Sequence, residues 1–108
     1  MRVIVKARLM EFADVHAAAR APLSTWCSIV RRASWRSFDD VRRTFASADR
    51  VALEHGNVIT IFNVGGNNYR VLTYVKFNTR CVYIKRVLTH AEYDEETWKE
   101  TLDHGEES

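Results

Sequence analysis

Five side chains in the second half of the chain are of types and at spacings that suit phosphodiester chemistry: Arg70, Lys85, Arg86, His90 and Tyr93. His90 and Tyr93 are three residues apart, the spacing that puts two side chains on one face of a helix. If the segments on either side of Asn78-Thr79-Arg80 pair as a hairpin, partner residues sum to a nearly constant number, and Arg70 falls opposite residues 88–90. A cation, an imidazole and a phenol at one sheet face meet the needs of in-line attack on phosphorus by a ribose 2′-hydroxyl. One group takes the hydroxyl proton, one holds the charge that builds on phosphorus, and one protonates the leaving oxygen. The same residues also have plain structural uses. His90 fits a polar first-turn residue, Tyr93 a ring packed on the sheet, and Arg70 and Lys85 a solvated strand face.

Other chemistries find little support. His16, His55 and His104 are scattered without ligand spacing, so neither a metal site nor a cofactor is expected. Gly65-Gly66 reads as a turn, because it lacks the strand–loop–helix setting and the Lys of a phosphate-binding loop. Cys27 and Cys81 form no Cys-x-x-Cys motif, and no secretory signal follows Met1. Both are expected as reduced core thiols in a cytoplasmic protein. No apolar run approaches the 18 or so residues of a membrane helix, and no membrane partner is expected.

The elements that must position the five residues can be read along the chain. Arg2 to Lys6 reads as a first strand. Helical spacing follows in Leu9, Phe12, Ala13, His16, Ala17 and Arg20, and again in Leu23, Trp26, Cys27 and Val30, where a second helix begins at Pro22. Ser37 and Asp40 resemble a capping box before a third helix carrying Phe38, Val41 and Phe45. After Asp49 the pattern turns to strands. Val51 to Leu53, Asn57 to Val64, Tyr69 to Phe77 and Cys81 to Leu88 are rich in β-branched and aromatic residues and separated by Gly- and Asn-containing turns, the mark of an antiparallel meander. Arg70, Leu72, Tyr74 and Lys76 alternate with apolar neighbours, which predicts a half-open sheet with one charged face. Thr89 and Glu92 form a capping box that starts a final helix with Tyr93, Trp98 and Leu102. The expectation is one α+β domain over residues 1–108, with an N-terminal strand and two to three helices on an antiparallel sheet and a helix at the C-terminus.

Charge divides the chain. The formal net charge of +2 conceals a body, residues 1–90, with 15 of the 16 Lys and Arg against 6 acids, and a tail, residues 91–108, with one Lys against 8 acids. Most of the cations are Arg, whose planar fork matches phosphate oxygens, so a nucleic-acid partner is expected for the body.

Three blocks then line up in order. Phe62-Asn63-Val64-Gly65-Gly66-Asn67-Asn68-Tyr69-Arg70, Val82-Tyr83-Ile84-Lys85 and Thr89-His90-Ala91-Glu92-Tyr93-Asp94 together resemble the signature of HigB toxins, a branch of the RelE-like superfamily. The similarity in motif spans about 33 residues, and the helical first half agrees in pattern. The resemblance implies a RelE-like fold and the toxin of a type II toxin–antitoxin pair. It implies a ribosome-dependent endoribonuclease that cuts messenger RNA by acid–base chemistry without metal and so halts translation. It implies a HigA-type helix-turn-helix antitoxin as partner, with operator DNA reached only through that antitoxin. Carried over by position, Arg70, Lys85, His90 and Tyr93 are the catalytic candidates. Asn67, Lys76 and Arg86 are candidates for holding RNA, Arg86 without a motif position of its own. Two rivals stand beside this reading: a non-catalytic RNA- or protein-binding module on the same fold, and a DNA-binding regulator, for which no helix-turn-helix pattern is visible.

If the basic body binds RNA through phosphates, affinity falls steeply as salt rises, because each phosphate contact releases counterions. Fluorescence anisotropy with single-stranded RNA over a salt series measures this, and a flat salt dependence contradicts it.

Overall fold

A computed structural model of the chain describes residues 1–54 and 56–103, with side chains through residue 100. His55, His104, Glu106, Glu107 and the Leu102 side chain therefore lie outside the described residues. The elements in chain order are β1 (Arg2–Ile4), α1 (Ala7–Val15), a 3₁₀ turn (Ala17–Ala19), α2 (Arg20–Arg32), α3 (Phe38–Thr44), β2 (Asp49–Ala52), β3 (Val58–Val64), β4 (Tyr69–Lys76), β5 (Cys81–Thr89), α4 (His90–Glu95) and α5 (Trp98–Asp103). The strands form one sheet in the order β1-β5-β4-β3-β2. From β2 to β5 it is the antiparallel meander that the turns predict. β1 departs from that pattern, pairing in parallel with β5 through Arg2↔Cys81, Val3↔Val82 and Ile4↔Tyr83, so the sheet is mixed. The strand stops at Val5, a β-branched residue at φ 67°, where an extended chain cannot continue.

One irregularity sets the faces of β5. The β4–β5 register runs Leu72↔Arg86 and then Thr73↔Ile84, so Lys85 is an extra residue in a bulge. Beyond Ile4 the outer edge of β5 has lost its strand partner. Arg8, at the start of α1, donates from Nη1 to the Ile84 and Lys85 carbonyls at 2.9 Å each and satisfies the edge at the bulge.

Two cores lie on the two faces of this sheet. The first is covered by α1, α2 and α3: Leu23, Trp26, Val30 and Val41 meet Phe62, Val64, Val71, Val82 and Ile84. Cys27 and Cys81 are both buried and free, as expected of core thiols. The second face is not the open, charged surface that alternation predicts. Leu53, Ile59, Ile61, Leu72 and Leu88 are buried there beneath Trp98, with Val51 and Tyr93 packed against them. The chain reverses to place this lid. Instead of one final helix there are two short ones, because Glu96 takes a left-handed conformation (φ 64°) and ends α4.

The helical half differs in its boundaries. His16 (φ −120°, ψ 83°) interrupts the run from Leu9, and Arg20 opens α2 instead of closing α1. Pro22 stands in the first turn of α2, where a missing N–H leaves no helical bond unmade. Ser37 makes no side-chain cap at α3; the Asp40 carboxylate instead accepts from the Arg36 backbone N–H at 2.8 Å.

Trp98 carries the lid on the second face, being 2% exposed. Trp98→Ala is expected to cost about 3–5 kcal/mol in denaturant unfolding. A cost below about 1 kcal/mol, the range of surface positions, means that this face is open in solution.

Candidate active site

The turn between β3 and β4 organises the site. Gly65, Gly66 and Asn67 all have positive φ (68°, 61° and 83°), a run that glycine and asparagine tolerate. At Gly65 a Cβ would also stand 3.0 Å from the Tyr69 ring, so no larger residue fits without displacement. The turn aims two carbonyls inward. Asn67 O accepts from Arg70 Nη1 at 3.0 Å, and Asn68 O accepts from the His90 backbone N–H at 2.9 Å, joining the turn to the start of α4.

α4 is set by the expected capping box. Thr89 Oγ1 accepts from the Glu92 N–H at 3.1 Å, and Glu92 Oε1 accepts from the Thr89 N–H at 3.0 Å. This fixes His90 as the first helical residue, two beyond Leu88, the residue paired with Arg70.

Arg70 is the centre of the arrangement and is only 7% exposed, not solvated on a strand face. Its Nη1 also donates to Tyr69 O at 3.3 Å, its Nη2 lies 3.1 Å from His90 Nδ1, and its Cζ stands 5.2 Å from the centre of the Tyr93 ring. Among the described residues no carboxylate forms an ion pair with it. A guanidinium has donors only, so a hydrogen bond from Arg70 Nη2 to His90 is accepted by a lone pair on Nδ1. Nε2, the other ring nitrogen, lies 3.1 Å from Asp94 Oδ2, one turn along α4, within ion-pair distance. The ring is half-exposed, so both nitrogens sit at the rim of the site.

Tyr93 stacks on Trp98 (centroids 5.3 Å, planes 13° apart), and Trp98 Nε1 donates to the Tyr93 carbonyl at 2.9 Å. Burial pushes the phenol above its ordinary pKa, and Asp49 adds to the rise against the opposing charges of Arg70 and Lys99. At neutral pH the hydroxyl keeps its proton.

The structure brings Arg70, His90 and Tyr93 into contact and sets the cations at graded distances. Arg86, opposite Leu72, is a diagonal neighbour of Arg70, about 7–8 Å away between backbones. Lys85, in the bulge, is three residues from Leu88, about 10 Å along the strand. Asn67 meets Arg70 through its backbone, and its side chain is exposed. Lys76 lies at the far end of β4, six residues or about 20 Å from Arg70. Among the described residues no group of three or more His, Cys, Asp or Glu is placed to hold a metal ion, and His16 stacks on Phe12 at 4.3 Å.

Comparison with known proteins agrees with the geometry. The family model HigB_toxin, described as the RelE-like toxic component of a toxin-antitoxin system, matches residues 19–96. The chain belongs to the HigB toxin family. An mRNA interferase HigB of Escherichia coli O6:H1 (strain CFT073) is 28% identical over 97 residues, which cover 90% of this chain and 92% of that protein. The mRNA interferase toxin HigB of Escherichia coli strain K12 is also 28% identical, over 87% of this chain and 88% of its own length. The α+β fold, with its mixed sheet and C-terminal helices, is the RelE-like one. Membership makes this protein the toxic component of a pair, with an antitoxin as its partner, in a family whose relatives are named mRNA interferases. No helix among the described residues is long and apolar enough to cross a membrane.

Two residues of this HigB-family site were not singled out by sequence reasoning. Asp94 was within reach of it, since a carboxylate four residues after a histidine on a helix shares its face. Arg8 carried no local signal, as the carbonyls it meets are more than 75 residues away.

Arg70→Ala removes donors from two carbonyls and a ring nitrogen in a buried place. We expect it to destabilise the toxin by about 1–3 kcal/mol in denaturant unfolding. A loss under about 0.5 kcal/mol, as at exposed sites, means that the guanidinium is solvated after all.

Proposed function

We propose that this toxin is a ribosome-dependent, metal-independent endoribonuclease that cleaves messenger RNA through the 2′-hydroxyl. The observation that supports it most is the lone pair of His90 Nδ1, held next to a buried guanidinium that lacks a carboxylate partner among the described residues. An imidazole with a carboxylate beside one nitrogen presents its other nitrogen as a base, and Asp94, 3.1 Å from Nε2, is the positioning residue. A phosphodiester is the natural anion for Arg70. Its oxygens take over the Nη2 donor that rests on His90 in the free protein, and the vacated Nδ1 meets the adjacent 2′-hydroxyl.

Nδ1 then accepts the hydroxyl proton as the 2′-oxygen attacks phosphorus. Arg70, with Arg86 and Lys85 further along β5, holds the charge that builds on the equatorial oxygens. The bond from phosphorus to the 5′-oxygen breaks, and the Tyr93 hydroxyl, still protonated, supplies a proton to the leaving oxygen. The products are a 2′,3′-cyclic phosphate and a 5′-hydroxyl. A HigA-type antitoxin that covers this cationic surface, or keeps the toxin from the ribosome, completes the reading, with the protein acting in the cytoplasm.

The test is message cleavage on purified ribosomes with EDTA present. His90→Gln is expected to lower the single-turnover rate about 10²–10⁴-fold, and Asp94→Asn to lower it less with KM little changed. Cleavage by His90→Gln at near the wild-type rate moves the base elsewhere, and wild-type cleavage abolished by the chelator sinks the metal-free mechanism.

A further inference from the structure

The lid on the second sheet face stops short. It covers Leu72 and Leu88 but not the next pair along the strands, Tyr74 and Tyr83, which face each other across β4 and β5. Their neighbours Thr73, Val75, Val82 and Ile84 are buried toward the helices, so the two phenol rings lie on the opposite face. Tyr74 is 39% exposed, and its ring stacks on that of Tyr83 with centroids 6.1 Å apart and planes 27° apart. The β5 bulge sets two successive cations, Lys85 and Arg86, beside this pair, and Lys76 lies two residues beyond Tyr74. Among the described residues none of the three is in an ion pair.

We propose that Tyr74 and Tyr83, rimmed by Lys76, Lys85 and Arg86, form a stacking platform for an unpaired base of single-stranded RNA. The proposal rests on the nuclease reading for the identity of the strand, and it adds where a flanking nucleotide sits. Tyr74 is four residues from Arg70 along β4, about 13 Å, too far for the nucleotide being cut and within reach of its neighbours on an extended strand. Aromatic faces accept any base, and the cations track the phosphates on either side of it. A cross-strand aromatic pair can also serve only to steady a hairpin. The unpaired cations around this one favour a polyanion, and the exposed Tyr74 ring favours one that carries π-faces.

The probe is a short, fluorescein-labelled, fully 2′-O-methyl RNA of mixed sequence, which binds without being cut, beside a matched oligomer with abasic positions. In anisotropy titrations Tyr74→Leu and Tyr83→Leu are each expected to weaken binding of the base-bearing strand about 5- to 150-fold, the fold-change that stacking of one base represents. The salt slope stays unchanged, because no charge is lost. Tyr74→Phe, which keeps the ring, binds like wild type, and the abasic oligomer does not distinguish the Leu variants from wild type. Lys76→Ala is expected to lower the salt slope by about 0.7. Equal binding of the base-bearing strand by natively folded Tyr74→Leu and wild type overturns the proposal. So does a Tyr74→Leu protein that binds RNA normally but no longer retains its antitoxin, which makes the face a protein interface. Wild-type protein that binds the strand through Tyr74 yet never cuts message leaves the platform standing while the nuclease reading fails.

Discussion

A guanidinium with 7% exposure and no carboxylate partner among the described residues constrains everything around it. Taking a cation out of water costs several kcal/mol unless dipoles of the right sign replace the solvent. At Arg70 those dipoles are the Asn67 and Tyr69 carbonyls, the His90 ring nitrogen and the face of Tyr93. Each comes from a different local device: a left-handed turn, a strand end, a helix cap and a stacked aromatic pair. The turn must have glycine at Gly65, the cap must start α4 at His90, and Trp98 must hold Tyr93 in place. The sequence block from Phe62 to Asp94 is thus a set of supports for one buried charge. That is why residues which look like turn punctuation and helix capping travel together with residues suited to catalysis.

The sheet serves two masters through one extra residue. With helices on one face and a two-helix lid on part of the other, a regular β5 would carry its alternation unbroken from Val82 to Leu88 and put Val87 and Leu88 on the wrong sides. The bulge at Lys85 resets the phase, so Val82 and Ile84 before it and Val87 after it all serve the first core, while Leu88 reaches the second. It also sets two cations side by side, which strict alternation forbids. Arg8 holds this irregular stretch from outside by filling the carbonyls that β1 leaves unpaired.

What could be read in advance follows from the range of the forces involved. Strand positions, the β3–β4 turn and the Thr89 capping box depend on neighbours within a few residues and were legible as composition and spacing. The hairpin register was legible to within a residue or two, since the Asn78–Arg80 turn nearly fixes the sum of partner numbers and placed Arg70 opposite residues 88–90, where it pairs with Leu88. The burial of Arg70 was not, because it depends on Trp98 folding back across β3 and β4, and nothing in the alternation of β4 records that lid. The break at Glu96 and the parallel docking of β1 were hidden for the same reason: a left-handed residue that is not glycine, and a strand partner some 80 positions away, are chosen by tertiary packing. Of the site, the contact of Arg70 with His90 followed from register. The carboxylate of Asp94 was open to the same spacing argument, while the edge cover from Arg8 became visible only in three dimensions.

The parallel pairing of β1 with β5 also sets how late in its own synthesis the fold can close. Residues 2–4 leave the ribosome early, but the strand that receives them is residues 81–83. At about 5–20 residues per second, roughly 4–16 s pass between the making of one and the making of the other. Closing so long a loop is among the slow steps of folding. The residues around Arg70, His90 and Tyr93 belong to the same late stretch. Until that stretch is made, the nascent chain has no assembled candidate site, and an antitoxin has those seconds in which to be at hand.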